Sequence, residues 1–301
     1  MTLSQAILSW METHKRTSVK PSTYLRLQTS YDLMKKYRIS ECDIEKLTGN
    51  DIQSYINDLV DDGYAQTTIK KQFHLISAFL RWANAEGLVL RPLYEAVTLP
   101  SQCVVKKPKK EIIAYSEEEQ QRLKNVLDSG KKRGYPVIAF MIETGLRVGE
   151  VLALQWADIQ WQRKAVSVSK TLINLNCGER SKVQNSPKSL ASKRVIPLST
   201  NAQRILNSLP KNGTFVFNPD STEPLSYKVL IKNTKAACKE ANVPYMGMHV
   251  FRHTFATNCY YRGCDVKILS RLLGHSSVTI TYNTYIHLFG DALEEMRAVL
   301  A

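Results

Sequence analysis

The stretch His249-Val-Phe-Arg252-His253 carries the clearest chemistry in this 301-residue sequence. Two side chains three residues apart lie on one side of a helix, so His249 and Arg252 can address the same phosphate group. Residues 273–277 then read LGHSS, and residues 281–287 read TYNTYIH. Together these segments supply a guanidinium, imidazoles and phenols, a set suited to holding a phosphodiester while a tyrosine attacks it.

A second arginine stands in a similar setting upstream, in the sequence TGLRVGE of residues 144–150. Glu150 follows Arg147 by three residues, so on a helix its carboxylate can hold the guanidinium in place. An exposed helical ion pair is the alternative interpretation of these two residues. Gly145 and Gly149 favour the functional one, because glycines beside an arginine allow a close approach of other backbone.

The positive charge of the chain is concentrated in its C-terminal two-thirds. The formal net charge is +14, with 12 Lys and Arg against 11 Asp and Glu in residues 1–100, and 29 against 16 in residues 101–301. A field of this sign attracts a polyanion and favours phosphate contacts that release counterions. A charge that only maintains solubility is the alternative.

Several classes of protein are disfavoured by the rest of the composition. The six cysteines show no C-x-x-C or Cys/His cluster, which argues against a zinc site and a disulfide framework and fits a reducing compartment. We expect no metal and no cofactor, since no carboxylate cluster and no GxxxxGK[ST] loop is present. No segment has the length and character of a membrane span or a signal peptide, so we expect a cytoplasmic, nucleoid-associated protein without membrane contact.

Periodicity and helix caps predict two domains separated by a basic linker. Residues 1–100 are expected to form a helical domain, with signals such as Pro21 at a helix start, Thr48 as an N-cap and Gly87 at a helix end. Residues 101–115 form the linker. Its lysines are Lys106, Lys107, Lys109 and Lys110. We expect this basic segment either to be solvated or to contact a DNA backbone.

The second domain, residues 116–301, begins with the capping box of Ser116 and Glu119. The alternating stretch 165–169 predicts a strand, and 194–198 predicts a returning strand after a long polar hairpin. The remaining sequence has mostly helical periodicity. The predicted fold class is therefore mainly α with a small antiparallel sheet, an α+β arrangement.

These motifs together resemble the tyrosine recombinases of the phage integrase family, site-specific DNA recombinases. TGLRVGE resembles the box of the first catalytic arginine, and the segment around Lys188, PKSLASKRVIPL, resembles the hairpin that presents the catalytic lysine. The boxes at His249-Val-Phe-Arg252 and Leu273-Gly-His275 follow, and Tyr285 stands where the family has its nucleophile. The resemblance covers roughly residues 3–300 and implies an N-terminal SAM-like bundle and a catalytic domain closed as a C-shaped clamp on DNA.

The resemblance implies a mechanism in which Tyr285 attacks the scissile phosphate and forms a 3′-phosphotyrosyl bond without metal or ATP. Arg147, Arg252 and His275 would stabilise the transition state. Lys188 would protonate the leaving 5′-oxygen, and His249 would assist the tyrosine. Glu150 would support Arg147, while His253 and His287 are expected to be structural or supporting.

Two of these assignments keep competitors. Tyr282 lies about one helical turn before Tyr285 and is the alternative nucleophile. Lys182 and Lys193 compete with Lys188 for the role of the acid, and position 189 is serine where the family often has threonine.

The expected activity is integration or excision of a mobile element at two duplex DNA sites. A homotetramer in the synaptic complex, monomeric when free, and accessory DNA-bending or directionality factors are the expected partners. The long hairpin resembles phage and conjugative-transposon integrases more than the Xer type. The alternatives are a Xer-type resolvase or invertase, a catalytically silent DNA-binding relative and a type IB topoisomerase.

Overall fold

A computed structural model describes residues 1–101, 114–173, 182–184 and 193–285, and the chain divides into two compact units at Lys110/Glu111. The helices of the first unit are α1 (Leu3–Trp10), α2 (Pro21–Met34), α3 (Gly49–Asp61) and α4 (Gln66–Ala85). Those of the second are α5 (Glu117–Asp128), α6 (Tyr135–Thr144), α7 (Val148–Leu152), α8 (Thr200–Asn207), α9 (Tyr227–Glu240), α10 (His249–Tyr261), α11 (Val266–Leu273) and α12 (Val278–Tyr285). The strands are β1 (Ile159–Gln160), β2 (Ala165–Val168), β3 (Thr171–Ile173), β4 (Lys182–Gln184) and β5 (Arg194–Pro197).

The first unit is a helical bundle whose ends follow the caps in the sequence. The Thr48 side chain accepts a hydrogen bond from the Asp51 backbone, and the Asp51 carboxylate accepts one from the Thr48 backbone. Helix α2 has its proline at the first helical position. Because these signals act within one turn, they locate the helix starts without tertiary information.

The core of this bundle is aromatic and aliphatic. The rings of Trp10 and Phe79 meet edge-on at 5.8 Å between centroids, and both side chains are buried. Tyr55, also buried, donates its hydroxyl hydrogen to Gln72 Oε1 at 3.0 Å, so the buried hydroxyl and the buried amide oxygen satisfy each other. The sequence spacing predicts one apolar helix face from Leu3, Ile7, Leu8 and Met11, but Leu8 is 38% exposed.

The second unit packs helices around a small antiparallel sheet in the order β1-β2-β5. Val166 pairs with Ile196 in the middle of the predicted strand pair, and both side chains are buried. A separate two-stranded sheet, β3-β4, pairs Leu172 with Val183 inside the stretch that the sequence predicted to be only a polar hairpin. The predicted hairpin therefore carries more strand structure than its composition indicated.

Helix α6 lies at the centre of the second unit and leads to the candidate site. Most of its side chains between Tyr135 and Thr144 are buried, and it packs against α10. Gly145 ends it in the left-handed conformation, with φ of 63°. This turn places Arg147 at the start of α7. In the part of the chain that the structure describes, no helix is both long and apolar enough to span a membrane.

Candidate active site

Arg147 is the residue immediately before helix α7 rather than a member of it. Its Nη1 donates to Glu150 Oε1 at 3.0 Å, and its backbone N–H donates to Glu150 Oε2 at 2.9 Å. Its Nη2 donates to the Gly274 carbonyl oxygen at 3.2 Å. Because 35% of the Arg147 side chain stays exposed, the guanidinium is oriented by the protein and still accessible to a ligand.

Glu150 also binds a second arginine, Arg194, for which the sequence predicted no function. Arg194, from the start of β5, donates from Nη1 and Nη2 to the two carboxylate oxygens of Glu150 at 3.0 and 2.9 Å. Burial acts to raise the pKa of Glu150, but the hydrogen bonds and charges of Arg194 and Arg147 outweigh it and hold the pKa below its ordinary value. Glu150 is therefore a carboxylate shared by two guanidiniums.

Two glycines allow neighbouring groups to lie close to the backbone at this cluster of Arg147, Glu150 and Arg194. A Cβ atom on Gly149 would lie 2.7 Å from Thr171 Oγ1 and 2.8 Å from the Leu172 carbonyl oxygen. A Cβ atom on Gly274, which has φ of 65°, would lie 2.9 Å from Nη1 of Arg194. The contact of Gly149 with the Leu172 backbone of β3 is a close backbone approach of the kind that the sequence predicted.

Arg252 is the most deeply buried charged group of the site, with 4% of its surface exposed. Its Nη1 donates to the Gly145 carbonyl oxygen at 2.9 Å, and its Nη2 donates to the Leu273 carbonyl oxygen at 2.6 Å. Burial, followed by the charge of Arg147, lowers the pKa of Arg252 to about 9. Two carbonyl oxygens from different segments thus fix the plane of its guanidinium.

His249 begins helix α10 one turn before Arg252, as the sequence predicted, and its side chain is exposed at the surface. The partial enclosure of its ring lowers the pKa of His249, and the charges of Arg252 and Arg147 lower it further. His249 therefore lies within electrostatic range of both arginines.

His275 follows the left-handed Gly274 at the end of α11. Its Nδ1 lies 2.7 Å from Oγ1 of Thr281, which is fully buried. Burial and the charges of Arg252 and Arg147 lower the pKa of His275 to about 4. The imidazole is therefore neutral at pH 7 in the protein without DNA, and a bound phosphate would favour its protonation.

Tyr285 ends helix α12 and packs with the apolar side chains of Ala256, Leu269 and Leu273. It is 2% exposed, and its hydroxyl oxygen lies 3.0 Å from Nδ1 of His253. Burial raises the pKa of Tyr285 to about 12, and the charge of Arg252 acts in the opposite direction. The residue is a poor nucleophile unless its neighbours activate it.

The competing residues lie elsewhere or outside the described residues. Tyr282 is 47% exposed, on the same helix as Tyr285. Lys193 is exposed just before β5, and Lys182 begins β4. The predicted acid Lys188, His287 and the four linker lysines Lys106, Lys107, Lys109 and Lys110 lie outside the described residues.

The geometry brings three of the predicted residues to one turn of the chain. Arg147 and Arg252 bind the carbonyl oxygens of residues 274 and 273, directly before His275. Among the residues that the structure describes, no group of three His, Cys, Asp or Glu side chains is placed to hold a metal ion. Charge at this site comes from guanidiniums, and these match the oxygen pairs of a phosphate.

Comparison with protein-family models identifies the family. The model described as Phage integrase family matches residues 109–291, more than half of the chain. The chain belongs to the phage integrase family. A second model, described as Phage integrase, N-terminal SAM-like domain, matches residues 2–60 of this integrase-family protein. The family resemblance predicted from the motifs is thereby confirmed.

Proteins of known class are similar to this integrase-family chain over nearly its whole length. It is 29% identical to the tyrosine recombinase XerC-like protein of Caldanaerobacter subterraneus subsp. tengcongensis, over 95% of this chain and 79% of the relative. It is 22% identical to the transposase from transposon Tn916 of Enterococcus faecalis, over 99% of this chain and 77% of the relative. The predicted enzyme class, a tyrosine site-specific recombinase, is confirmed.

Solved structures of related integrases share the fold. The Tn1549 transposon integrase in complex with transposon right end DNA matches with a TM-score of 0.83 and 21% identity, over 100% of both chains. A lambda integrase dimer bound to a COC′ core site matches with a TM-score of 0.70 and 18% identity, over 94% of this chain and 95% of the other. The predicted mainly helical fold with a small antiparallel sheet is confirmed.

Two features of the integrase-family site were not predicted from the sequence. They are the contact of Arg194 with Glu150 and the contact of His253 with Tyr285. Arg194 stood inside the quoted hairpin motif, where its neighbours Val195 and Ile196 indicated only a strand. A signal was available, because an arginine at the first position of a strand that returns to the core needs a buried partner. His253 had no comparable signal, since its neighbour Arg252 accounted for the motif.

Proposed function

We propose that this protein cuts and rejoins duplex DNA at specific sites through a covalent 3′-phosphotyrosyl bond to Tyr285, in the integration and excision of a mobile element. The observation that carries the proposal is the convergence of Arg147 and Arg252 on the turn before His275, with Tyr285 in the same buried cluster as Leu273, whose carbonyl oxygen binds Arg252. These groups come from separate segments of the chain and meet only in the folded unit.

Two arginines supply the charge that the reaction needs. A phosphodiester under attack develops negative charge on its non-bridging oxygens, and fixed donors aimed at them lower the barrier. Each guanidinium has five N–H donors, so Arg147 and Arg252 retain donors for phosphate beyond those used on Glu150 and on carbonyl oxygens. His275 adds a third donor once a phosphate favours its protonated form. This arrangement supports metal-independent chemistry.

The proposed acid and the support of Arg147 follow the family pattern. Lys188 is the proposed acid for the leaving 5′-oxygen, and Glu150 holds Arg147 in place through the contact at 3.0 Å. His249, which the resemblance assigns to the tyrosine, is proposed here to assist at the phosphate instead, because it lies on the same side of α10 as Arg252 and within range of its charge. Storage of the phosphodiester on Tyr285 conserves its energy, so rejoining needs no nucleotide cofactor.

Duplex DNA is the proposed partner of the basic C-terminal two-thirds, where Lys and Arg exceed Asp and Glu by 13. The linker lysines are proposed to contact the DNA backbone, and the two units are proposed to act on the duplex together. A solved relative, lambda integrase, is a tetramer bound to a Holliday junction. We propose a tetramer on two sites for this chain, assembled on the bacterial chromosome with accessory DNA-bending factors.

A second candidate function uses the same chemistry. It is the resolution or inversion of DNA by a recombinase of the Xer type. The 29% identity to a XerC-like recombinase favours it. The 22% identity to the transposase from transposon Tn916, over 99% of this chain, supports the mobile-element function. The two differ in the DNA that is recombined, while the proposed cleavage step is the same.

The test begins with DNA that the protein selects itself. The full chain carrying Tyr285→Phe is used to select binding duplexes from a random 30-base-pair pool, and these are converted to nicked substrates that trap the cleaved state. Wild type should form a detergent-stable covalent complex in EDTA without ATP, and Tyr285→Phe should form none. Tight binding without any covalent complex would instead indicate a catalytically silent DNA-binding relative.

A further inference from the structure

The hydroxyl group of Tyr285 has a specific polar partner that none of the family motifs assigns. Nδ1 of His253 lies 3.0 Å from Oη of Tyr285, and the two rings meet edge-on at 5.7 Å between centroids. Tyr285 belongs to a buried apolar cluster with Ala256, Leu269 and Leu273. A hydrogen bond of this length within a largely apolar setting holds both partners in one orientation.

Helix geometry explains why this partner is His253 and not His249. The two histidines are four residues apart on α10, with ring centroids 6.4 Å from each other. His249 lies at the exposed start of the helix, whereas His253 is half-buried one turn further in, where α12 places Tyr285. Arg252, between them in sequence, directs its guanidinium to the carbonyl oxygens of Gly145 and Leu273.

We infer that His253 is a further catalytic residue of this reaction, whose Nδ1 accepts the hydroxyl proton of Tyr285 as Oη attacks phosphorus. The inference rests on the function proposed above. The Oη–P bond forms while the P–O5′ bond breaks. The tyrosine proton moves to His253, and a proton from the proposed acid Lys188 moves to the 5′-oxygen. Rejoining reverses both transfers, so each group returns to its initial state.

The surroundings make such a base necessary. Burial places the pKa of Tyr285 about 5 units above pH 7, so that only about one phenol in 10⁵ is ionised without help. A positioned general base contributes a factor of about 10² to 10⁴. Among the described residues, the titratable and charged groups around His253 include Tyr285 from α12, His249 and Arg252 from α10, and His275 from the turn before α12.

The proton-transfer role is tested by separating it from the acid step. The full-length protein cleaves selected duplexes in single-turnover reactions, with either a normal scissile phosphate or one that carries sulfur at the 5′-bridging position. A thiolate leaves without protonation, so sulfur should restore cleavage to Lys188→Ala. We expect His253→Gln to cleave 10² to 10⁴ times more slowly than wild type on both substrates, with unchanged DNA affinity.

A second variant distinguishes proton transfer from packing. His253→Ala leaves space beside Tyr285, and added imidazole should restore its cleavage at least tenfold, with a dependence on pH that follows the imidazole pKa. A purely structural role would give no such rescue, and its absence would overturn the inference. His74→Gln, an exposed histidine of the first unit, is the matched control and should cleave like wild type.

The outcomes separate this inference from the proposed function. Cleavage by His253→Gln at the wild-type rate overturns the role of His253 and leaves the proposed recombinase intact. Faster cleavage by His253→Gln overturns it as well, because His253 would then hold Tyr285 in a resting position. Absence of a covalent complex from wild type on selected duplexes would contradict the proposed function itself.

Discussion

Arg194 and Glu150, 44 residues apart in sequence, form a bidentate ion pair in which both side chains are at least 93% buried. The Nε of Arg194 also donates to the Leu272 carbonyl oxygen at 2.7 Å. One side chain therefore ties β5 to the carboxylate that orients Arg147 and to the end of α11 before His275. The site depends on this connection although Arg194 has no proposed contact with DNA.

We expect Arg194→Met to destabilise the protein by about 3 kcal/mol, because it removes one partner of a buried pair and leaves the carboxylate partly uncompensated. Urea unfolding measures the change. Arg204→Met is the matched control, since Arg204 is 60% exposed beside Asp128 and an exposed pair contributes about 0–1 kcal/mol. Equal losses in the two variants would contradict the importance of the buried pair.

Gly149→Ala should destabilise the protein by about 1–3 kcal/mol and slow DNA cleavage. Its added methyl group would overlap Thr171 Oγ1 and the Leu172 backbone, so α7 and Arg147 must shift. Thermal unfolding and single-turnover cleavage measure the two effects. Gly130→Ala provides the comparison, because its Cβ meets nothing within 4 Å; that variant should lose some stability through its positive φ but keep its cleavage rate.

The stability of the protein should depend on pH through His275. The folded state holds the pKa of His275 at about 4, whereas an unfolded histidine has a pKa of about 6.5. Between these values the unfolded state binds the extra proton, so the free energy of unfolding falls as the pH drops from about 6.5 to about 4. Urea unfolding in steps across this window measures the slope.

His275→Gln should show a shallower pH slope than wild type over the same window, whatever its absolute stability, because it has no imidazole to protonate on unfolding. His74→Gln should keep the wild-type slope, because it leaves His275 in place. If His275→Gln and wild type had the same slope, the folded-state environment described for His275 would be incorrect.

DNA affinity should fall steeply with salt, and the linker lysines should account for part of the slope. Each Lys that contacts a phosphate contributes about 0.9 to the slope of log affinity against log salt. Replacing Lys106, Lys107, Lys109 and Lys110 with alanine should therefore reduce the slope by up to about 3.6. The same four positions changed to arginine retain the charge and should retain the slope; an unchanged slope in the alanine variant would show that the linker is only solvated.

Local signals account for what the sequence predicted well. Thr48 and Ser116 cap helices through residues three positions away, so their helix starts were visible without a fold. The motif spacing placed His249 and Arg252 on one helix for the same reason. The second sheet was missed because β4, Lys182–Gln184, has only three residues. Its single apolar residue, Val183, is too short a pattern to show the alternation that predicts a strand.

Contacts between distant segments were beyond the sequence. The pairing of Arg194 with Glu150 depends on how β5 lies beside α7, and the bond between His253 and Tyr285 depends on how α12 packs on α10. Periodicity indicates which face of a helix is apolar, but it does not indicate which neighbour that face meets. The exposure of Leu8, on a helix whose other predicted apolar positions are buried, has the same origin.

The most direct test of the central claim locates the nucleotide on the protein. The covalent complex from wild type is digested with nuclease and trypsin, and fragment-ion mass spectrometry reads the peptide between Arg271 and Arg297, which contains both tyrosines of α12. We predict a 3′-linked nucleotide on Tyr285, with Tyr282 unmodified and Tyr282→Phe still active. A nucleotide on Tyr282, or a complex that persists in Tyr285→Phe, would contradict the proposed active site.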